Sequence, residues 1–345
     1  MTTALITTTI NDPVVLADYR AGMRQNDIII VTGDQTSPHE AIAETLNKLP
    51  GANVYLHPDD QTSWASSEVI GWRSIQRRNI AILEAMMCGA DTIVTVDDDN
   101  IPVNPETYMS DVRRALNGDA AHQVDTDLSW WNVGTLASPP VFHRGYPLSD
   151  RSQSGTSAVM HPHDRRQVIG VVAGLWLGDP DIDAVERIAR RPHVTHYAPS
   201  GLNGVVLKPG TWCPFNSQNT AWRAYLAPLM MCWPGVGRFD DIWASYLARS
   251  VMDHFGFAVH YGPPFVRQER NDHDLLVDLE KEMHGYRHTE QVVNTLRRIE
   301  YTSTDIVTCM LEAYQALGRL SHDVIPQQTR DAFEAWVIDI ERTQR

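Results

Sequence analysis

Short apolar runs alternate with longer amphipathic segments in the N-terminal part of the chain. Each run spans five or six residues, is rich in β-branched side chains, and is followed by turn-forming residues, as is typical of strands. The runs predicted as strands are residues 4–9, 28–32, 53–57 and 92–96, and a helix is predicted over 72–88. This alternation predicts an α/β fold with a mostly parallel, Rossmann-like sheet.

The pattern changes after about residue 120, where Trp, Pro and Gly become frequent. We expect irregular loops around a second part of the sheet, with strands at 168–177 and 257–261 and a helix at 242–254. Farther on, apolar residues recur at helical spacing; they are Ile306, Met310, Ala313 and Leu317, and then Phe333, Val337 and Ile340. The sequence therefore predicts a main domain over 1–287 and a C-terminal helical extension over 288–345.

The composition of the chain argues against several classes of binding partner and site. The net charge of −14 argues against nucleic acid and against an anionic membrane surface. The four cysteines form no C-x-x-C pair, so a zinc or disulfide-exchange motif is not expected. Neither a basic leader nor an apolar stretch of membrane-spanning length is evident. We expect a soluble, cytoplasmic protein.

An acidic triplet directly follows the predicted strand 92–96. Asp97, Asp98 and Asp99 are like charges in close sequence, and a divalent cation such as Mn²⁺ or Mg²⁺ would remove their mutual repulsion. On an extended chain Asp97 and Asp99 point to the same side, so these two are the predicted metal ligands. Asp98 would face the other way, toward a ribose hydroxyl. The alternative is a solvated acidic turn.

One arginine of the preceding helix is predicted to face inward. On a period of 3.6 residues Arg78 shares a face with Ile75 and Ile82, whereas Arg77 falls on the predicted solvent side. A buried guanidinium needs an anionic partner. That partner is either an aspartate of the chain or a group of a bound ligand.

Two further segments carry candidate chemistry. Asp240 and Asp241 begin the helix predicted at 242–254, where they could stabilise the helix dipole or transfer protons. Arg270 and His273 follow the strand predicted at 257–261. Arg270 could neutralise a diphosphate and His273 could complete a metal shell, whereas a solvated loop is the alternative.

Taken together, these segments resemble the reversibly glycosylated polypeptides, the UDP-arabinopyranose mutase family. The resemblance rests on five blocks in chain order: TVDDD at 95–99, RGYPLS at 144–149, GLWL with PDIDA at 174–184, NTA at 219–221 and GRFDDIWA at 237–244. It implies a glycosyltransferase-A-like fold for the main domain, a Mn²⁺ or Mg²⁺ ion on the triplet, and interconversion of the pyranose and furanose forms of a nucleotide sugar.

The resemblance and the residues taken together indicate roles for particular side chains. Family members become glycosylated on an arginine upstream of the triplet, and with a three-residue insertion that position matches Arg78. Asp240 or Asp241 would move protons during the reaction. The residues expected to bind the nucleotide sugar are Thr32, Asp34, Asp98, Arg144, Asn219 and Arg270, and those expected to bind the metal are Asp97, Asp99 and His273.

The chain departs from the family pattern at three places. Asn100 replaces the cysteine that follows the triplet, and Thr32-Gly33-Asp34 replaces Asp-Gly-Asp in the nucleotide loop. The second change leaves the base open between uracil and guanine. The family's late histidine falls near Gln268, which leaves His273 as a substitute ligand.

Three functions are compatible with these residues. The first is a redox-independent mutase acting on a UDP- or GDP-linked arabinose, galactose or similar sugar. The second is a metal-dependent glycosyltransferase that passes the sugar to an external acceptor, and the third is a non-catalytic subunit that supports an active homologue. The apolar terminal helices are a candidate surface for a homo-oligomer.

Overall fold

The computed structural model describes residues 1–153, 158–164, 166–270 and 274–344. Its strands are β1 (Thr3–Thr9), β2 (Ile28–Gly33), β3 (Ala52–Leu56), β4 (Thr92–Val96), β5 (Asn100–Pro102), β6 (His122–Asp125), β7 (Ala137–Ser138), β8 (Val159–Pro162), β9 (Ile169–Gly178), β10 (His196–Tyr197), β11 (Val205–Leu207), β12 (Asn219–Arg223) and β13 (Ala258–Gln268).

The helices are α1 (Leu16–Ala21), α2 (His39–Lys48), α3 (Ala65–Ile70), α4 (Arg78–Met87), α5 (Tyr108–Leu116), α6 (Ala184–Arg190), α7 (Pro199–Leu202), α8 (Asp240–His254), α9 (Leu275–Arg297), α10 (Ile306–Gly318) and α11 (Gln327–Thr343). Of the helices in the described residues, none has the length and apolarity needed to cross a membrane.

One large mixed sheet organises the chain, in the order β3-β2-β1-β4-β12-β9-β13-β11-β6-β8, and β5 pairs with β13. Strands β3, β2, β1 and β4 pair in parallel, which confirms the α/β prediction for the N-terminal part. Strand β12 runs antiparallel to both β4 and β9. The carboxyl end of β4 therefore meets the loop that leads into β12, and these two segments build one wall of the candidate site.

Helix α4 begins later than the predicted helix 72–88. A 3-10 turn occupies Ile75–Arg77, and the α-helix starts only at Arg78. Arg73 lies in the left-handed region with φ 58°, and the Ser74 hydroxyl accepts a hydrogen bond from the backbone N–H of Gln76. A left-handed residue cannot continue a right-handed helix, so the helix cannot begin at residue 72.

The predicted orientation of the two neighbouring arginines is correct for one and wrong for the other. Arg78 is 2% exposed, as expected, but Arg77 is fully buried and not solvent-facing. The Arg77 guanidinium donates to the Gln61 amide oxygen and to Ser67, and stacks on the Trp72 ring at 3.9 Å. Because Arg77 precedes the α-helix, a 3.6-residue period did not apply to it.

The C-terminal helices pack against the main sheet unit. Helix α9 runs without a break through the predicted boundary at 287/288. The Asp339 carboxylate on α11 accepts the backbone N–H groups of Ala65 and Ser66, each at 2.8 Å. These are first-turn N–H groups of α3, which lack partners inside their own helix. The predicted division into 1–287 and 288–345 stays a prediction, but the two parts share this buried contact.

We expect Asp339→Asn to lower the free energy of unfolding by about 2 kcal/mol, because an amide supplies one acceptor where two buried N–H groups need acceptors. Asp331→Asn on the same helix is the matched control, since Asp331 is exposed and bonds only to Gln327 among the described residues. Urea unfolding of both variants tests this. Equal stability of the two variants would show that the Asp339 contact does not hold α11 to α3.

Candidate active site

A cavity of 490 Å³ lies where β4, β13, the loop before β12, the start of α8 and the second turn of α9 converge. Its charged lining consists of Arg73, Arg78, Arg144, Arg238, Arg270 and Lys281 with Asp97, Asp99, Asp181, Asp240 and Asp241. A chain with a net charge of −14 thus places slightly more positive than negative groups around this space. Such a lining can accept an anion.

The Arg78 guanidinium anchors one wall. It forms an ion pair with Asp97, and its Nη1 donates to the Ser217 carbonyl at 3.0 Å and to the Ser217 hydroxyl at 2.5 Å. Burial by itself would lower the pKa of Arg78, but the Asp97 and Asp241 carboxylates raise it above its ordinary value. Arg78 is therefore firmly protonated. Of the two partners considered for an inward arginine, an aspartate of the chain or a ligand group, the structure shows the aspartate.

The two carboxylates predicted to bind a metal both line the cavity. Burial raises the pKa of Asp99 to about 7, and the nearby charges of Asp97 and Asp98 add to this effect. Burial also raises the pKa of Asp97, although its ion pair with Arg78 opposes the shift. One oxygen of Asp99, Oδ1, is buried and has no hydrogen-bond partner among the described residues.

These features fit a cation bound by two carboxylates. A Mg²⁺ or Mn²⁺ ion usually takes one or two carboxylates and fills its other positions with phosphate oxygens and water. In the described part of the chain, no three His, Cys, Asp or Glu side chains are placed to hold a metal together. The predicted third ligand, His273, lies outside the described residues.

A second group of charges surrounds Asp241. Its carboxylate accepts the backbone N–H of Ser217 at 2.9 Å and the Ser217 hydroxyl at 3.1 Å, and Arg144 contacts it at 3.1 Å. Arg144 also pairs with Asp181 at 3.0 Å. Asp241 is thus linked to Arg144 directly and to Arg78 through the Ser217 hydroxyl. It orients both arginines and does not cap α8.

Asp240 has a different environment. Its carboxylate accepts a hydrogen bond of 2.6 Å from the Gln76 amide, and it lines the cavity. Burial raises the pKa of Asp240 to about 6, and repulsion by Asp241 acts in the same direction. A carboxyl group that titrates near neutrality can both accept and donate a proton. Asp240 is therefore better suited to proton transfer than Asp241.

Arg270 belongs to a cluster of guanidinium groups. It contacts Asp278 at 3.4 Å, and Arg238 contacts Asp278 at 3.3 Å and Glu282 at 3.1 Å. Burial and the positive charges of Arg238 and Arg144 lower the pKa of Arg270. An additional anion in the cavity would relieve this repulsion, which agrees with the predicted role of Arg270.

Four predicted ligand-binding residues do not line the cavity. Asn219 is buried in β12, where its amide donates to the Leu175 carbonyl and accepts from the Tyr108 hydroxyl. We therefore do not retain Asn219 as a ligand-binding residue. Thr32 is buried at the end of β2, and among the described residues its hydroxyl has no hydrogen-bond partner.

Asp34 and Asp98 bond to other parts of the chain. The Asp34 carboxylate accepts the backbone N–H groups of Arg73 and Ser74, so it shapes the turn before α4 and is not free for a ligand. Asp98 accepts from the Thr9 hydroxyl and, at 3.1 Å, from the Asn11 amide. Asp98 thus turns away from Asp97 and Asp99, in line with the prediction, and its role toward a ribose stays a prediction.

Sequence reasoning missed several polar residues of the site. Ser217, Gln76 and Asp181 all contact predicted site residues. Asp181 belongs to the PDIDA block, which gave the only available signal for it. Ser217 and Gln76 lie in unremarkable sequence, and their contacts span 139 and 164 positions along the chain.

In metal-free buffer we expect Asp99→Asn to raise the melting temperature at pH 8 by several degrees. The unfolded Asp99 ionises near pH 4, whereas the folded group, with its raised pKa, ionises only near pH 7. Wild-type stability is therefore lost between about pH 4 and pH 7, and the advantage of the variant grows over that range and then levels off. Calorimetry from pH 4 to pH 8 measures this, with Asp331→Asn as the control, because Asp331 is exposed and does not line the cavity. A melting-temperature difference between variant and wild type that stays constant across this pH range would contradict the raised pKa of Asp99.

Comparison with known proteins identifies the family. The family model "Reversibly glycosylated polypeptide" matches residues 3–344. "Probable UDP-arabinopyranose mutase 2" of Solanum tuberosum is 28% identical over 207 residues, which are 57% of this chain and 52% of that protein. "UDP-arabinopyranose mutase 1" of Oryza sativa subsp. japonica is 31% identical over 160 residues, which are 44% of this chain and 39% of that protein. The chain thus spans about half the length, or less, of these relatives.

Among solved structures, a mannosyltransferase from Pyrobaculum calidifontis, in complex with GDP-Man and Mn²⁺, aligns with 99% of this chain and 86% of that chain. The identity is 12% and the TM-score is 0.40, values too low to transfer a function or a metal. The family match, by contrast, covers nearly the whole chain. The chain belongs to the reversibly glycosylated polypeptide family.

Proposed function

We propose that the protein is a nucleotide-sugar mutase that interconverts the pyranose and furanose forms of a UDP- or GDP-linked sugar. The observation that carries this proposal is the convergence of Arg78, Asp97, Asp99, Asp240 and Asp241 in one cavity. The names of the relatives support a mutase acting on a UDP-linked arabinose. The altered nucleotide loop at Thr32 keeps GDP as a candidate, and galactose differs from arabinose by one hydroxymethyl group.

Ring contraction requires that the bond between C1 and the phosphate oxygen breaks and later re-forms. A divalent cation on Asp97 and Asp99 would stabilise the departing diphosphate as a Lewis acid. Arg270 would hold the same diphosphate by charge-assisted hydrogen bonds. Both contributions act on charge that develops as C1 is released.

An arginine would hold C1 while the ring opens and closes, which divides one difficult step into two. Arg78 is the residue proposed for this role. As a nitrogen of Arg78 bonds to C1 and the phosphate leaves, that nitrogen must lose a proton. The Ser217 hydroxyl, at 2.5 Å from Arg78 Nη1, and Asp241, at 3.1 Å from that hydroxyl, supply a path for it.

Arg144 is a second candidate for the same covalent role. It lines the same cavity and shares the Asp241 carboxylate with this path, so it could pass its proton to Asp241 directly. The ion pair with Asp97 accounts for the burial of Arg78 without any covalent role. We keep Arg78 as the proposed glycosylated residue because it matches the arginine position of the family. The experiment below distinguishes it from Arg144.

Asp240 would act as the general acid and base during ring opening and closure, including at the sugar hydroxyl that becomes the new ring oxygen. As the ring opens, the bond from C1 to the old ring oxygen breaks, and Asp240, with a pKa of about 6, can give that oxygen a proton. As the new ring closes, the same carboxylate can take the proton from the hydroxyl that attacks C1. The Gln76 amide keeps this carboxylate facing the cavity.

The four cysteines are free thiols, which supports the predicted cytoplasmic location, where thiols stay reduced.

The mutase proposal predicts that the protein, with Mn²⁺ and UDP- or GDP-linked arabinopyranose or galactopyranose, forms the furanose nucleotide sugar without any acceptor. NMR of the anomeric protons follows the exchange. Asp240→Asn is expected to lower the rate by about a hundredfold or more, because general acid–base catalysis typically contributes at least that much. Transfer of the sugar only when an external acceptor is added would favour the glycosyltransferase instead.

The covalent role predicts that sugar label from the same mixture is found on Arg78. Cleavage after glutamate releases residues 69–84, in which fragmentation separates Arg73, Arg77 and Arg78. We expect Arg78→Lys to lose the label and to slow turnover by more than about a hundredfold. Label on Arg144, lost in Arg144→Lys, would move the role to Arg144 and leave the mutase proposal intact. Turnover without label on any arginine would overturn the covalent scheme.

A further inference from the structure

Arg73 differs from the other arginines of the cavity. Arg78, Arg144, Arg238 and Arg270 each contact a carboxylate. Within the described residues, the Arg73 guanidinium has neither an ion-pair nor a hydrogen-bond partner, although the residue lines the cavity. A positive group held at the edge of a binding space without a partner of its own is available to a ligand anion.

The backbone of Arg73 is fixed in an uncommon conformation. Its φ of 58° lies in the left-handed region, which side-chain-bearing residues rarely adopt. The buried Asp34 carboxylate holds this turn, because its two oxygens accept the N–H groups of Arg73 at 2.9 Å and of Ser74 at 3.0 Å. A strained backbone persists only where its surroundings enforce it, and such positions cluster at functional sites.

We propose that Arg73 binds the diphosphate of the nucleotide sugar and that Asp34 is the positioning residue that presents it. This inference rests on the proposed function for the identity of the anion. A guanidinium suits the role because its planar donors match phosphate oxygens in pairs. In this proposal the buried Asp34 positions Arg73, and this role replaces the direct contact with the nucleotide that the sequence predicted for Asp34.

Arg191 provides a matched control. It is also an exposed arginine in the left-handed region, with φ 45°, but it follows α6 and does not line the cavity. Glycine adopts left-handed conformations without strain, so Arg73→Gly and Arg191→Gly should both fold and keep or raise the melting temperature. If only Arg73→Gly loses binding, the loss is due to the missing Arg73 side chain and not to the change of a left-handed residue to glycine.

The test is calorimetric titration of the full chain with UDP, GDP and inorganic pyrophosphate in the presence of Mn²⁺. We expect Arg73→Gly to weaken the binding of pyrophosphate and of the preferred nucleotide about tenfold, as for loss of a charge-assisted hydrogen bond. Arg191→Gly should stay within about twofold of wild type. In turnover, Arg73→Gly should lower kcat/KM about tenfold or more, because the diphosphate that Arg73 holds gains negative charge as C1 is released.

Asp34→Asn tests the positioning role. It should weaken pyrophosphate binding in the same direction, and the double variant should bind no more weakly than Arg73→Gly alone, because the two residues act through one contact. An unchanged affinity in Asp34→Asn, or further weakening in the double variant, would overturn the positioning role.

The remaining outcomes separate this inference from the proposed function. Wild-type affinity in folded Arg73→Gly, or a loss seen for nucleotides but not for pyrophosphate, would overturn the role of Arg73 alone. The expected loss of binding without furanose formation by wild type would overturn the mutase proposal alone. Failure of wild type to bind any of the three probes would overturn both.

Discussion

The ion pair between Arg78 and Asp97 is the interaction on which the site depends. Both groups lie at the carboxyl end of β4, where burial would otherwise make each charge unfavourable. Removing one partner of a buried pair typically costs about 3–5 kcal/mol, because the other charge is left uncompensated. The pair therefore fixes where the first turn of α4 sits against the strand, and it places the Asp97 carboxylate at the edge of the cavity.

The remaining charges extend outward from this pair in a connected network. The Ser217 hydroxyl joins Arg78 to Asp241, and Arg144 joins Asp241 to Asp181. Antiparallel pairing of β12 with β4 brings the Ser217 loop to this point. Gly237 lets α9 approach the start of α8, since a Cβ there would lie 2.1 Å from the Lys281 carbonyl oxygen. The fold thus positions the site mainly through segments far apart in sequence.

The parts of this arrangement with a local signal could be predicted from the sequence. The buried strand before Asp97 and the inward face of Arg78 follow from apolar patterning, and both are confirmed. The orientation of Arg77 was wrong because a left-handed residue at Arg73 delays the helix, and that residue is held by Asp34 from a different strand end. Asn219 was misjudged because its amide is satisfied inside the sheet. The spacing of apolar residues along the chain carries no information about contacts between residues that are far apart in sequence.

The central claim is that a cation on Asp97 and Asp99 and the diphosphate of a nucleotide sugar occupy this one cavity. The most direct measurement is a crystal structure with Mn²⁺ and UDP or GDP, in which anomalous scattering locates the metal. We expect a manganese peak within bonding distance of both carboxylates, with the diphosphate between the metal and Arg270. A metal bound elsewhere, or a nucleotide outside the space lined by Arg78 and Arg144, would contradict it.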